Sequence, residues 1–137
     1  MIIAVDFDGT IVRDRYPQIG PEMPFAIETL RLLLNEGHQL ILWTVRQGAE
    51  LEAAIAWCRA RGVEFYAVNE TFPGDNAEDP FYSRKIKADI FIDDRCVGGM
   101  PDWGAIYEII KKHRTYEDVL LSDVEYRGKR KKHWWQF

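Results

Sequence analysis

The sequence predicts a three-layer α/β sandwich with a central parallel sheet, and three observations predict it. Short unbroken apolar runs, Ile2-Ile3-Ala4-Val5 and Leu40-Ile41-Leu42-Trp43 among them, read as strands buried on both faces. They alternate with longer segments of helical periodicity, the pattern of βαβ units with right-handed crossovers. Polar residues with chemical capability stand directly after the apolar runs, where open parallel sheets bind ligands. With 137 residues, the chain is long enough for one domain with a substantial core and too short for two.

The elements follow in order. Residues 2–7 form the first strand. Residues 11–21, rich in Arg, Asp, Tyr, Pro and Gly, form a loop or short flap. Residues 24–36 form a helix with Phe25, Ile27, Leu30, Leu33 and Leu34 on one apolar face, and Gly37 stops it. Residues 39–44 are a second buried strand. Residues 48–61 form a second helix, with Leu51, Ala54, Ile55 and Cys58 at helical spacing and Gly62 as its end. Strands over 64–68 and 88–92 flank a polar loop at 69–83, and a third helix covers 103–113. Gly98-Gly99 makes a tight turn before it. A catalytic domain is expected over 1–113 and a C-terminal extension over 114–137.

Composition narrows the class. Apolar residues make up 47% and charged residues 29%, as in soluble globular proteins. No apolar run approaches a membrane span, and the N-terminus lacks a basic, cleavable leader, so a cytoplasmic protein without membrane contact is expected. Cys58 and Cys96 form no C-x-x-C pattern, which argues against a disulfide framework or a zinc site. Cys96 reads as a small buried residue, and Trp43 and Trp57 as core. The net charge of −4 joins an acidic body, unsuited to broad nucleic-acid binding, to a basic tail. That tail, Arg127-Gly-Lys-Arg-Lys-Lys-His-Trp-Trp-Gln-Phe137, reads as a solvated terminus, with two alternatives: a single-strand nucleic-acid contact or packing on a second copy in a homo-oligomer.

The chemistry gathers at strand ends. Asp6-Phe7-Asp8-Gly9-Thr10 follows the first strand, with two carboxylates two residues apart and so on one side of an extended chain. Gly9 permits a sharp turn, and Thr10 offers a hydroxyl and an N–H to an anion. The second strand ends at Thr44, with Arg46 two residues on; the fourth ends in Asp93-Asp94-Arg95, with Lys85 shortly before it. A carboxylate is a nucleophile that needs no base at pH 7, and its attack on phosphorus gives an acyl phosphate that water can open. A divalent cation with Lys and Arg offsets the phosphoryl charge, and an all-oxygen aspartate site favours Mg²⁺. A second carboxylate can protonate the leaving alkoxide and then deprotonate water.

In these motifs the sequence resembles the phosphatase branch of the haloacid dehalogenase superfamily, whose catalytic domain is a Rossmann-like sandwich. The resemblance covers residues 1–112. It implies Asp6 as nucleophile, Asp8 as general acid/base, Thr44 on the phosphoryl oxygens and Lys85 as the steadying lysine, with Lys87 as the alternative. It implies Mg²⁺ held by Asp6, by Asp8 through its carbonyl, and by Asp93 and Asp94, Asp93 most directly. Gly9, Thr10, Thr44, Val45 and Arg46 are expected around the phosphate. The acid at Asp8 favours phosphate esters over carbon–halogen bonds. The expected partner is a phosphorylated substrate, small or macromolecular. Neither gap between motifs holds a cap domain, so walls are sought in Arg13, Arg15 and Tyr16, in Phe72, Phe81 and Tyr82, and in Arg95. The expected activity is Mg²⁺-dependent phosphomonoester hydrolysis. The alternatives are a phospho-aspartate switch without turnover and a nucleic-acid end-processing phosphatase that uses the tail.

Overall fold

In the computed structural model, which describes residues 1–112, the apolar runs form a four-stranded, wholly parallel sheet. The elements in chain order are β1 (Ile2–Val5), β2 (Val12–Arg15), β3 (Gln18–Glu22), α1 (Ala26–Asn35), β4 (Gln39–Leu42), α2 (Gly48–Arg59), β5 (Ala67–Val68), β6 (Ile90–Ile92) and α3 (Trp103–Lys111). The sheet order is β5-β4-β1-β6. The chain runs outward from β1 through β4 to β5, then crosses to the other side of β1 to lay down β6. The strand order therefore reverses beside β1, the position where sheets of this kind open a ligand crevice. The predicted α/β sandwich on a central parallel sheet is the observed fold.

Register sets what stands at the crevice. Val5 pairs with Leu42 on one side and with Ile92 on the other. One residue further, the three strands deliver Asp6, Trp43 and Asp93. The pairing continues through backbone bonds from Asp6 N to Ile92 O (3.0 Å) and from Trp43 N to Val5 O (2.8 Å).

Alternation along the strands divides the core between two faces. Ala4, Ile41 and Ala67 share one face with Ile86, and Ile2, Trp43 and Ala88 pack against them. Ile3, Val5, Leu40 and Leu42 are fully buried and point the other way. α1 lies against β4 with Ile27, Leu30 and Leu33 buried, and Trp57 of α2 meets Phe7 edge-on at 5.9 Å. Both helices end as the glycines predict. Gly37 (φ 90°) and Gly62 (φ 81°) take left-handed turns, and the following amides, of His38 and Val63, reach back to Leu33 O and Cys58 O.

Three local expectations are corrected. The 11–21 segment is an antiparallel hairpin, β2–β3, with a register irregularity between Val12 and Asp14. Phe25 lies before α1 in a left-handed conformation and is exposed, so Ala26 takes its place at the start of the buried face. The strand predicted over 64–68 is ordered as β5 only at Ala67–Val68.

No cap domain intervenes among the described residues: the hairpin, two helices, β4, β5 and one irregular segment occupy the stretch from Thr10 to Lys85. The chain separates into two compact units, Met1–Trp103 and Gly104–Phe137, and nearly all of α3 belongs to the second, where Ile106 and Ile110 are buried. The expected boundary after residue 113 and the basic tail lie outside the described residues. No helix among the described residues is long and apolar enough to cross a membrane.

Candidate active site

At the carboxyl edge of the sheet, a cleft of roughly 540 Å³ is lined by Asp6, Asp8, Asp14, Tyr16, Trp43, Thr44, Val45, Asp93 and Arg95. Its floor is an acidic cluster. One carboxylate oxygen from each of Asp6, Asp93 and Asp94 lies within 4.8 Å of the others. Thr10, fully buried, ties the cluster together: its Oγ1 lies 3.1 Å from Asp6 Oδ2 and 3.2 Å from Asp94 Oδ1 and accepts the Asp94 N–H at 3.0 Å. The Thr10 carbonyl in turn accepts the Trp103 indole N–H at 3.0 Å.

This crowding of like charges has an electrostatic consequence. Burial, a carboxyl–carboxylate hydrogen bond with Asp94 and the charge of Asp93 push the Asp6 carboxyl up to about 7, against the opposing bonds from Thr10 and the Phe7 N–H. Gly9 makes the close packing feasible. Its φ of 86° favours glycine, and a Cβ there would overlap the Asp94 carboxylate.

Asp8 has a different environment. Its two carboxylate oxygens accept a fork from Arg46, with Nε to Oδ2 at 2.7 Å and Nη2 to Oδ1 at 2.8 Å. Thr44 Oγ1 accepts the Arg46 N–H at 3.1 Å, a bond that leaves the hydroxyl proton uncommitted, and Thr44 lines the cleft. Asn69 Oδ1 accepts the Thr44 N–H at 2.8 Å and fixes the loop.

The expected residues thus divide. Asp6, Asp8, Thr44, Val45, Asp93, Tyr16 and Arg95 line the cleft, and Asp94 joins the acidic cluster beneath it. Several expectations are corrected. The backbone N–H groups of Gly9 and Thr10 are spent on Val12 O and Phe7 O, and the Thr10 hydroxyl serves the acids, so neither residue cradles a phosphate. Arg46 is fully buried, paired with Asp8 and outside the cleft lining. The Asp8 side chain is taken by Arg46 and stands outside the three-acid cluster, in keeping with the expectation that only its carbonyl would face a metal. Lys85 is exposed, and its Nζ lies over the Phe91 ring at 5.9 Å with no ion pair to a described carboxylate. Lys87 is also exposed and outside the lining, while Ile86 between them is core.

Arg13 and Arg15 are exposed, and the intervening Asp14 reaches the cleft. Side chains alternate across a strand, so one face of β2 cannot present all three. Phe72, Phe81 and Tyr82 are exposed and outside the lining. Cys96 is exposed, contrary to the buried reading, whereas burial pushes the Cys58 thiol up to about 12. Gly98 and Gly99 take positive φ, and the Gly99 N–H bonds Cys96 O, as the predicted turn requires.

Two contributors escaped the sequence reading. Trp43 packs on the Ala4–Ile41 face and also walls the cleft; its position directly after β4 was the available signal. Asp14 stands amid arginines in a segment without apolar alternation, which gave no signal.

No protein-family model and no curated protein matches the chain. A solved structure of a conserved protein from Bacteroides thetaiotaomicron is 62% identical in sequence, with a TM-score of 0.79 over 87% of this chain and 96% of that one.

Proposed function

The chain belongs to the same family as that conserved Bacteroides protein, and we propose that it is a divalent-cation-dependent phosphomonoesterase working through an aspartyl phosphate on Asp6. The observation that carries this reading is the cluster of Asp6, Asp93 and Asp94 at adjoining strand ends, with Asp8 beside it. Three carboxylates that close repel each other unless a proton or a metal cation joins them. The donor set is all oxygen, which fits Mg²⁺, and Asp6, Asp93 and Asp94 would hold it. When bound, the ion supplies charge neutralisation for the cluster and for a phosphoryl group. The resemblance to haloacid dehalogenase-type phosphatases points the same way.

The chain's own residues then have distinct tasks. The Asp6 carboxylate attacks phosphorus: its oxygen forms the new P–O bond while the ester P–O bond breaks, and Asp8 gives a proton to the leaving oxygen. In the second half, Asp8 takes a proton from water, the water oxygen bonds phosphorus, and the bond to Asp6 breaks. The Thr44 hydroxyl donates to a phosphoryl oxygen. Arg95 is the one cationic side chain among the described lining residues and stands at the rim. Tyr16, Trp43 and Val45 offer an apolar wall to the alcohol part of a substrate.

The test is hydrolysis of p-nitrophenyl phosphate by the wild-type protein and by Asp6→Asn, with Mg²⁺ and with EDTA. Turnover is expected only for the wild type with Mg²⁺, with a loss in the variant of at least about 1,000-fold, in keeping with removal of a covalent nucleophile. Metal-independent turnover, or full activity of Asp6→Asn, contradicts the proposal.

A further inference from the structure

We propose that Arg46 is the positioning residue for Asp8, a buried guanidinium that fixes the proton-transferring carboxyl at the cleft and ties it to the hairpin and to α2; the inference rests on the phosphatase reading above. Arginine has five N–H donors in a rigid fork. All five have acceptors here. Two go to Asp8, at 2.7 and 2.8 Å. Nη2 also reaches Gln18 O at 2.8 Å, and Nη1 reaches Pro17 O at 3.2 Å and Glu50 O at 3.3 Å. The rings of Phe7 and Tyr16 lie 5.1 and 5.2 Å from the guanidinium carbon. The side chain is 0% exposed, while that of Asp8 is 12% exposed.

No donor of Arg46 remains for a phosphate oxygen, so its influence on the reaction passes through Asp8. A carboxylate oxygen has two lone-pair sites. The fork occupies one on each oxygen and leaves the other for a leaving oxygen or a water. The carboxyl can therefore exchange a proton without losing its orientation. The same guanidinium carries two carbonyls of the β2–β3 turn, so the segment that presents Tyr16 to the cleft is registered against the acid/base.

This role predicts a dependence on the leaving group that a phosphate contact does not. A p-nitrophenolate departs without a proton, whereas a benzyl alkoxide requires one. The experiment measures kcat/KM, which reports the first half-reaction, for p-nitrophenyl phosphate and benzyl phosphate in the wild type, Arg46→Lys and Arg46→Gln. The expected loss is at least about tenfold greater for benzyl phosphate than for p-nitrophenyl phosphate, within the range ascribed to general acid catalysis. Asp8→Asn shows the same preference, and adding Arg46→Lys to it deepens the loss no further. Equal losses on both substrates, or a higher KM with unchanged kcat, overturn the inference and leave the phosphatase reading standing. If wild-type protein turns over neither substrate, that reading falls and the inference with it. For variants that do not fold, the Arg46 Nε–H resonance of the wild-type protein decides. An unchanged signal on saturation with Mg²⁺ and inorganic phosphate supports the positioning role, and a large shift overturns it.

Discussion

Asp6 and Asp8 are two residues apart and live in opposite electrostatic surroundings. Asp6 faces two carboxylates and is raised from 3.8 to about 7, whereas Asp8 faces a guanidinium. For Asp6 the linkage to stability has a definite sign. Between about pH 4 and 7 the metal-free folded protein holds a proton that the unfolded chain has released, so its stability falls as pH rises through that window and levels off above it. Thermal melts in EDTA are expected to show this decline. Mg²⁺ is expected to suppress it, and Asp6→Asn to flatten it while raising the melting temperature at pH 8 by several degrees. A metal-free profile that is level from pH 4 to 7 contradicts the assignment. At this scale the acids were legible because strand ends and a period of two expose them in the sequence. The role of Arg46 was not. A cation after Thr44 can turn outward to a phosphate or inward to an acid, and only the neighbouring strand decides. The pairing of Val5 with Leu42, a feature of the fold and not of the local sequence, sets Asp8 and Arg46 a few residues beyond the ends of adjacent strands.

At the scale of elements, the buried strands and the glycine-stopped helices were readable because each rests on a local cause: an unbroken apolar run, or a left-handed turn after the last helical residue. The hairpin was not, since Val12–Arg15 has only Val12 buried and carries no alternation. Its order comes from tertiary bonds instead, the two from Arg46 to Pro17 O and Gln18 O included. The entry to β6 was also hidden. Asp89 accepts the Ile2 N–H on Oδ2 at 2.7 Å, and its own N–H donates to Ile2 O at 2.8 Å, so it adds two bonds to the register, set by the β1–β6 pairs, that later brings Asp93 beside Asp6. Asp89→Ala is expected to cost about 1 kcal/mol in chemical denaturation, the net worth of a typical hydrogen bond, since solvent exposure offsets the gain from the carboxylate's charge. It should leave KM for p-nitrophenyl phosphate within about twofold, because the other pairs of the strand hold the register. A loss of Mg²⁺ dependence in that variant would show the register to be weaker than argued.

For the whole molecule, topology carries the account. Reversal of strand order beside β1 opens a crevice there, and the chain fills it with carboxylates that crowd one another in the absence of a cation. The lysine expected from the sequence motif does not relieve the crowding, because the buried Ile86 anchors the segment and leaves Lys85 over Phe91. With no cap among the described residues, the cleft is bounded by the hairpin, the loop after β4 and the loop after β6, and its walls are short. That openness was legible from the spacing of the motifs, while the identity of the walls depended on strand faces that sequence alone left unresolved. The central claim is that Asp6 becomes covalently phosphorylated during turnover. Acid quenching of the protein during steady-state hydrolysis with Mg²⁺, followed by peptide mass spectrometry, tests it directly. The account predicts a single phosphoryl adduct on the peptide carrying Asp6, absent in Asp6→Asn and decaying at least as fast as kcat. A wild-type enzyme that turns over with no adduct on Asp6, or with the adduct on another residue, would contradict it.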